Sequence, residues 1–206
     1  MLEKILKMKL DKEYFQNRPL SHSFLSSYEY DPNQWYKKYI LGEKEPPSKE
    51  MEFGSKVGKR IENDSTYLPM IKRLSKMEHA FNVMFDDIKM VGYADSFDDV
   101  SFKALKEFKT GKKAWTQKRV DKHKQIDMYL LMNYITNKIK PEDVDVTLVW
   151  MPTQDNGDFS ISFVEPIEDN IKFFETKRTM TDILNFGVHI KKVVKEMQSY
   201  VDKRQG

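Results

Sequence analysis

The chain has 206 residues, 39% of them hydrophobic and 33% charged, and its 35 Lys and Arg against 32 Asp and Glu leave a formal net charge of only +3. That length suits one domain over residues 1–206, and so small a net charge does not by itself imply nucleic acid. Without a single cysteine, disulfides, thiolate zinc sites and iron–sulfur clusters are excluded, which fits a reducing cytoplasm.

No apolar run approaches the roughly 20 residues of a membrane helix. The first ten residues alternate apolar side chains with Lys and carry no signal-peptide pattern. The expectation is a soluble, cytoplasmic protein with no membrane partner.

In chain order, Ser21 to Ile40 reads as a helix with Phe24, Leu25, Tyr28, Trp35, Tyr36 and Tyr39 on an aromatic face. Ser21 or Ser23 caps it, and Asp31-Pro32 breaks it in two, because Pro starts a helix more readily than it continues one. Gly42 to Glu50, rich in Pro and charge, is a loop. Glu52 to Asn63 is a second helix, with Phe53, Val57 and Ile61 recurring every fourth residue. Gly54 and Gly58 leave a bare groove on it for close backbone packing. Met70 to Met77 continues as a short helix.

The period then changes. Ala80 to Asp86 and Lys89 to Phe97 read as strands around a tight turn at Asp86-Asp87, and Leu105 to Thr110 is a third. Asp121 to Asn137 is a helix with Ile126, Tyr129, Leu130 and Tyr134 on one side. Val144 to Met151 and Phe159 to Val164 are strands around the Gln154-Asp155-Asn156-Gly157 turn. A long helix closes the chain, from about Ile171 or Thr181 to Lys203. This order predicts an α/β fold, a mixed central sheet with helices on both faces.

Chemistry concentrates in the middle strands. Glu107 and Lys109 are two apart on one strand, so they share a face. A hairpin of the second and third strands sets Asp95 beside them. Two carboxylates without thiolate or imidazole suit a hard cation such as Mg²⁺, which takes one or two carboxylates plus water and phosphate. A neighbouring Lys can orient or deprotonate a water. Phe108, between them, points into the core, with its carbonyl free to face the site. The rival reading makes Asp95 and Glu107 ordinary strand-end acids paired with Lys109.

From Lys103 to Lys124 nine Lys or Arg face two acids, a local +7 that focuses a positive field. Trp115 sits among Lys112, Lys113, Lys118 and Arg119, and either stacks on a base or closes the sheet edge. Gly111-Lys112-Lys113 lacks the rest of a phosphate-binding loop, which excludes a nucleotide triphosphatase. His22, His79, His123 and His189 show no metal spacing, and His123 draws attention only through Gln125 nearby.

G-Y-A-D (Gly92–Asp95) and L-K-E-F-K-T (Leu105–Thr110) together resemble the second and third motifs of the PD-(D/E)XK nuclease superfamily. K-Q-I-D-M-Y (Lys124–Tyr129) resembles the Q-x-x-x-Y helix of its RecB-like branch. Leu20 to Tyr36 is similar to that branch's S-x-S-x-L helix, and M-E-F-G-S-K-V-G-K-R-I-E (Met51–Glu62) to its first motif helix. D-K-E-Y-F (Asp11–Phe15) and its surroundings are most similar to RecE-type phage exonucleases.

The resemblance implies a restriction-endonuclease-like core and a Mg²⁺- or Mn²⁺-dependent deoxyribonuclease, an exonuclease of recombination or repair. It implies Asp95, Glu107, the Phe108 carbonyl and the helix-borne Glu62 as metal contacts. Lys109 becomes the water-positioning lysine, and Gln125 reaches the site from the next helix. Lys112, Lys113, Lys118, Arg119 and Tyr129 become DNA contacts, Tyr129 with a core role as the alternative. DNA is the implied partner, with a recombination protein or a second copy of the chain left open. Two departures stand out. Gly58 replaces the His that RecB-like members often carry, which weakens the case for a second metal. Asp31 replaces the Cys of iron–sulfur members, so no such cluster forms. The rival functions are a silent nuclease fold that binds nucleic acid and a protein-docking module.

Overall fold

The computed structural model describes residues 9–153 and 168–205. Its helices are α1 (Lys12–Asn17), α2 (His22–Tyr30), α3 (Pro32–Trp35, continuing as a π-helical turn to Ile40), α4 (Lys49–Asn63), α5 (Gln117–Val120), α6 (Lys124–Asn137) and α7 (Met180–Gln205). Its strands are β1 (Lys76–Phe85), β2 (Ile88–Phe97), β3 (Ala104–Gly111), β4 (Asp145–Pro152) and β5 (Lys172–Thr176). The described strands make one sheet in the order β1-β2-β3-β4-β5. β3 and β4 run parallel and the other neighbours antiparallel, so the sheet is mixed as expected. The parallel pair needs a crossover, which α5 and α6 supply.

Local chemistry sets the boundaries. The Ser21 hydroxyl accepts from the Phe24 amide and starts α2. The Asp31 carboxylate accepts from the Asn33 and Gln34 amides with Pro32 in the first turn, so the expected break falls at Asp31. Ser48 caps α4 through the Met51 amide and draws its start back to Lys49.

Each sheet face has its own core. On one side, α2, α6 and α7 pack with Phe81, Met90, Phe97, Leu105 and Leu148. On the other, Phe53, Val57 and Ile61 of α4 pack with Val149, Met151 and Ile171. β3 divides its side chains accordingly: Leu105 joins the large core and Phe108 packs on the small one.

Three expectations need correction. Met70 to Met77 is not a helix. Leu68 and Lys72, with φ of 50° and 47°, bracket a single 3₁₀ turn, Pro69–Ile71, and β1 already begins at Lys76. The helix expected from Asp121 begins at Lys124, behind a separate short helix, Gln117–Val120, whose last carbonyl accepts from the His123 amide and from Arg178. Ile171 starts no helix: Lys172–Thr176 pairs with β4, and α7 begins at Met180 behind a Thr179/Asp182 capping box. The Thr181 alternative lay within a residue of it. The Gln154–Gly157 turn and the Phe159–Val164 strand lie outside the described residues.

Candidate active site

β2 and β3 pair at only two positions, Ser96 with Lys106 and Phe97 with Leu105, before they separate. A cleft of about 740 Å³ occupies the split, lined by Glu62, Glu78, Asp95, Glu107, Lys109 and Gln125 among others. α4 forms its wall. Gly54 lets that helix approach, since a Cβ there would stand 3.0 Å from Thr110 Oγ1, whereas Gly58 faces open space. The close-packing groove expected from both glycines is therefore real at Gly54 only.

The slip in β2 aims Asp95. Ala94 and Phe97 both enter the large core although they are three apart, which a regular strand forbids. The alternation fails at Asp95–Ser96. Opposite, Glu78 takes φ +48° and the ladder skips the Glu78–Asp95 position. A non-glycine residue in that region is uncommon and marks local strain. Released from the ladder, the Asp95 carboxylate accepts from the Phe108 amide at 2.5 Å.

Glu107 is 2% exposed. Its Oε1 accepts from Lys109 Nζ at 2.6 Å, while its buried Oε2 meets no amide, hydroxyl or ammonium donor among the described residues, and Glu107 shares a hydrogen bond with the Asp95 carboxyl. Lys109 Nζ also donates to Gln125 Oε1 at 2.8 Å, and Gln125 Nε2 donates to the Tyr129 hydroxyl at 2.6 Å. That hydroxyl donates to the Tyr93 carbonyl. A single chain of hydrogen bonds thus runs from the core to the ammonium. Gly92 makes room for it, because a Cβ there would meet the Tyr129 ring at 2.9 Å.

Burial, then the Glu107 charge, pushes the Asp95 carboxyl up to about 8. Burial raises Glu107 as well, with Lys109 opposing. Glu78 is raised by burial, then by Asp95 and Glu62. Burial works against the Lys109 charge, but Glu107 overrides it and holds the ammonium above its ordinary value. Burial, then Lys109, lowers His22 to about 4 and His123 to about 3, so both rings are neutral.

The structure therefore brings Asp95, Glu107, Lys109 and Gln125 together and puts Glu62, exposed, among the cleft residues. Phe108 contributes its amide to Asp95 and its ring to the small core. Lys112, Lys113, Lys118 and Arg119 are exposed beyond the end of β3. Tyr129, expected against DNA, is 3% exposed and stacked on Phe81. It holds Gln125 and offers DNA no surface.

Glu78 was missed. Counted outward from Asp86 and Asp87, the ninth residues are Glu78 and Asp95. The turn signal already encoded their pairing, and starting the strand at Ala80 hid it. Among the described residues, no three acidic or imidazole side chains stand close enough to hold a cation. The hard donor set is the Asp95 and Glu107 pair.

Solved exonucleases share this architecture. The alkaline exonuclease of Laribacter hongkongensis matches with a TM-score of 0.54 over 94% of this chain and 96% of that one, at 10% identity. The same enzyme in complex with dAMP matches with 0.54 over the same shares, at 11% identity. A phage related exonuclease from Haemophilus somnus 129PT matches with 0.52 over 98% and 91%, at 13% identity. No family model and no curated protein matches the chain. At such identities the likeness establishes the fold alone, a mixed sheet with flanking helices shared with these exonucleases. Among the described residues no helix is long and apolar enough to cross a membrane.

Proposed function

We propose that this protein is a Mg²⁺- or Mn²⁺-dependent deoxyribonuclease that hydrolyses DNA phosphodiester bonds. Its finer form is an exonuclease acting at DNA ends in recombination or repair. One observation carries the reading: the buried Asp95 and Glu107 carboxyls meet in an open cleft and share a hydrogen bond with each other, and no amide, hydroxyl or ammonium donor reaches Glu107 Oε2 among the described residues. Two carboxyls this close cannot both carry their charge unless a proton or a cation lies between them. Two carboxylates without imidazole or thiolate fit a hard divalent ion.

Asp95 and Glu107 would hold that ion, with the Phe108 carbonyl as a further oxygen and Glu62 acting through water. When bound, the ion supplies charge neutralisation and a more acidic water. Lys109 orients the water that adds to phosphorus as the ester P–O bond breaks. Gln125, fixed by Tyr129, keeps the lysine in place. Lys112, Lys113, Lys118 and Arg119 neutralise backbone phosphates. The exonucleases of like fold support the reading, and the Laribacter enzyme is known in complex with dAMP.

The test is digestion of end-labelled linear and closed circular DNA with Mg²⁺, Mn²⁺ or EDTA. The expected result is release of labelled nucleotide from linear DNA with either metal and none with EDTA. Cleavage that survives chelation overturns the mechanism. Binding without cleavage under every metal favours the silent nuclease fold instead.

A further inference from the structure

A second concavity, of about 470 Å³, is lined by Trp115, Thr116, Lys118, Arg119, Lys122 and His123. Its floor is aromatic. The Arg119 guanidinium lies over the Trp115 ring at 3.8 Å, and the Trp115 and His123 rings are 4.9 Å apart. Trp115 is half-buried against the large core, so its indole is held rather than free to swing. Thr116, Lys118, Arg119 and Lys122 are exposed, and none of the lining residues is acidic. The concavity is tied to the acid cleft through one helix: His123, which lines it, precedes that helix, and Gln125, two residues on, accepts from Lys109 at 2.8 Å.

A guanidinium resting on an indole marks a flat, π-faced slot. A nucleobase has the same shape and stacks on either partner. Free phosphate would leave the aromatic floor unused, and an acidic peptide would use only the lysines. We propose that Trp115 and Arg119 form a stacking subsite for one base of a single-stranded or frayed DNA end, with Lys118 and Lys122 on the flanking phosphates. Resting on the nuclease reading, the subsite sets register: a base held here delivers its neighbouring phosphate to Asp95, Glu107 and Lys109. Because every base has a π-face, the slot grips without reading sequence.

The intact protein in EDTA, where nothing is cut, is titrated with oligothymidylate and with an abasic oligomer of equal charge. Trp35 is fully buried and Trp150 is 6% exposed, so quenching of tryptophan emission reports Trp115. Oligothymidylate should quench and the abasic oligomer should not. Trp115→Ala should weaken oligothymidylate binding about 5- to 100-fold and, in Mg²⁺, raise KM more than it lowers kcat. Arg119→Lys keeps the charge and loses the plane, so it should bind oligothymidylate more weakly than the wild type, and Arg119→Ala, which loses the charge as well, more weakly still. If Trp115→Ala does not fold, the surface pair at Arg119 carries the test alone. Equal quenching by the abasic oligomer, or wild-type affinity in Arg119→Lys, overturns the subsite. Base-dependent quenching without any cleavage in Mg²⁺ supports the subsite and sinks the nuclease reading. Cleavage without base-dependent quenching does the reverse.

Discussion

Two groups of buried charge flank α6, and they are finished differently. Arg178 is 5% exposed and fully engaged. Its Nε donates to Asp127, its Nη1 to Thr176 Oγ1 at 2.7 Å and the Lys177 carbonyl at 2.9 Å, and its Nη2 to the Val120 carbonyl at 3.0 Å. Glu107 is as deeply buried, yet beyond Lys109 its neighbour is a second carboxyl, Asp95, with which it shares a hydrogen bond in an open cleft. Burial raises the carboxyls in both groups, Asp127 as well as Asp95 and Glu107. A perturbed carboxylate therefore does not separate a brace from a site. Closure does: the Arg178 group matches itself, and the Glu107 group waits for something from outside.

The largest expected effect breaks the open group. Lys109→Ala should lower turnover by about 10²- to 10⁴-fold, the range for a positioned proton-transfer group. DNA binding and folding should persist, because Glu107 without its ammonium takes up a proton instead of remaining a bare buried charge. Single-turnover rates, DNA affinity in EDTA and circular dichroism on one preparation separate these effects. Wild-type turnover in this variant would remove the catalytic reading of the cleft.

Breaking the closed group should do the opposite. Arg178→Met strips the cationic partner from the buried Asp127 carboxylate and removes one of the two donors to the Val120 carbonyl. Losing one side of a buried pair costs about 3–5 kcal/mol, to be read as a lower urea midpoint. Turnover per folded molecule should hardly change. A stable Arg178→Met that has lost turnover would place Arg178 in the active site and end the distinction.

The two groups also differed in how far the sequence revealed them. Glu107 and Lys109 were legible because a strand has period two, so spacing alone fixed their shared face. Asp95 was legible through the hairpin, although its aim depends on a slip at Asp95–Ser96 that no local pattern announces. Glu78 was hidden by a strand start placed at Ala80. Arg178 was invisible. Its partners Val120, Asp127 and Thr176 are scattered along the chain, and nothing local marks a guanidinium that ties α5, α6 and β5 together. The sheet and its covering helices followed from period and turn signals. Lys172–Thr176 did not, because the open edge of β4 recruited a segment bordering the expected helix start.

The smallest effect tests openness without touching turnover. Asp95 is held near 8 in the folded chain against an ordinary 3.8, so between these values the folded state binds a proton that the unfolded state has released. Stability of the metal-free protein should fall as pH rises through that window and level off above it. Asp95→Asn keeps an oxygen for the Phe108 amide and removes the charge, so this slope should flatten. In EDTA at pH 8.5 the variant should melt above the wild type by roughly 2–4 °C, which corresponds to about 1 kcal/mol in a chain of this size. At pH 4 the two should coincide. Mg²⁺ should raise the wild-type midpoint more at pH 8.5 than at pH 5, since a protonated carboxyl is a poor ligand, and should move the variant much less. If Asp95→Asn instead melts lower at pH 8.5, the carboxylate is a satisfied structural acceptor like Asp127. The contrast between the open and the closed group would then fail at its centre.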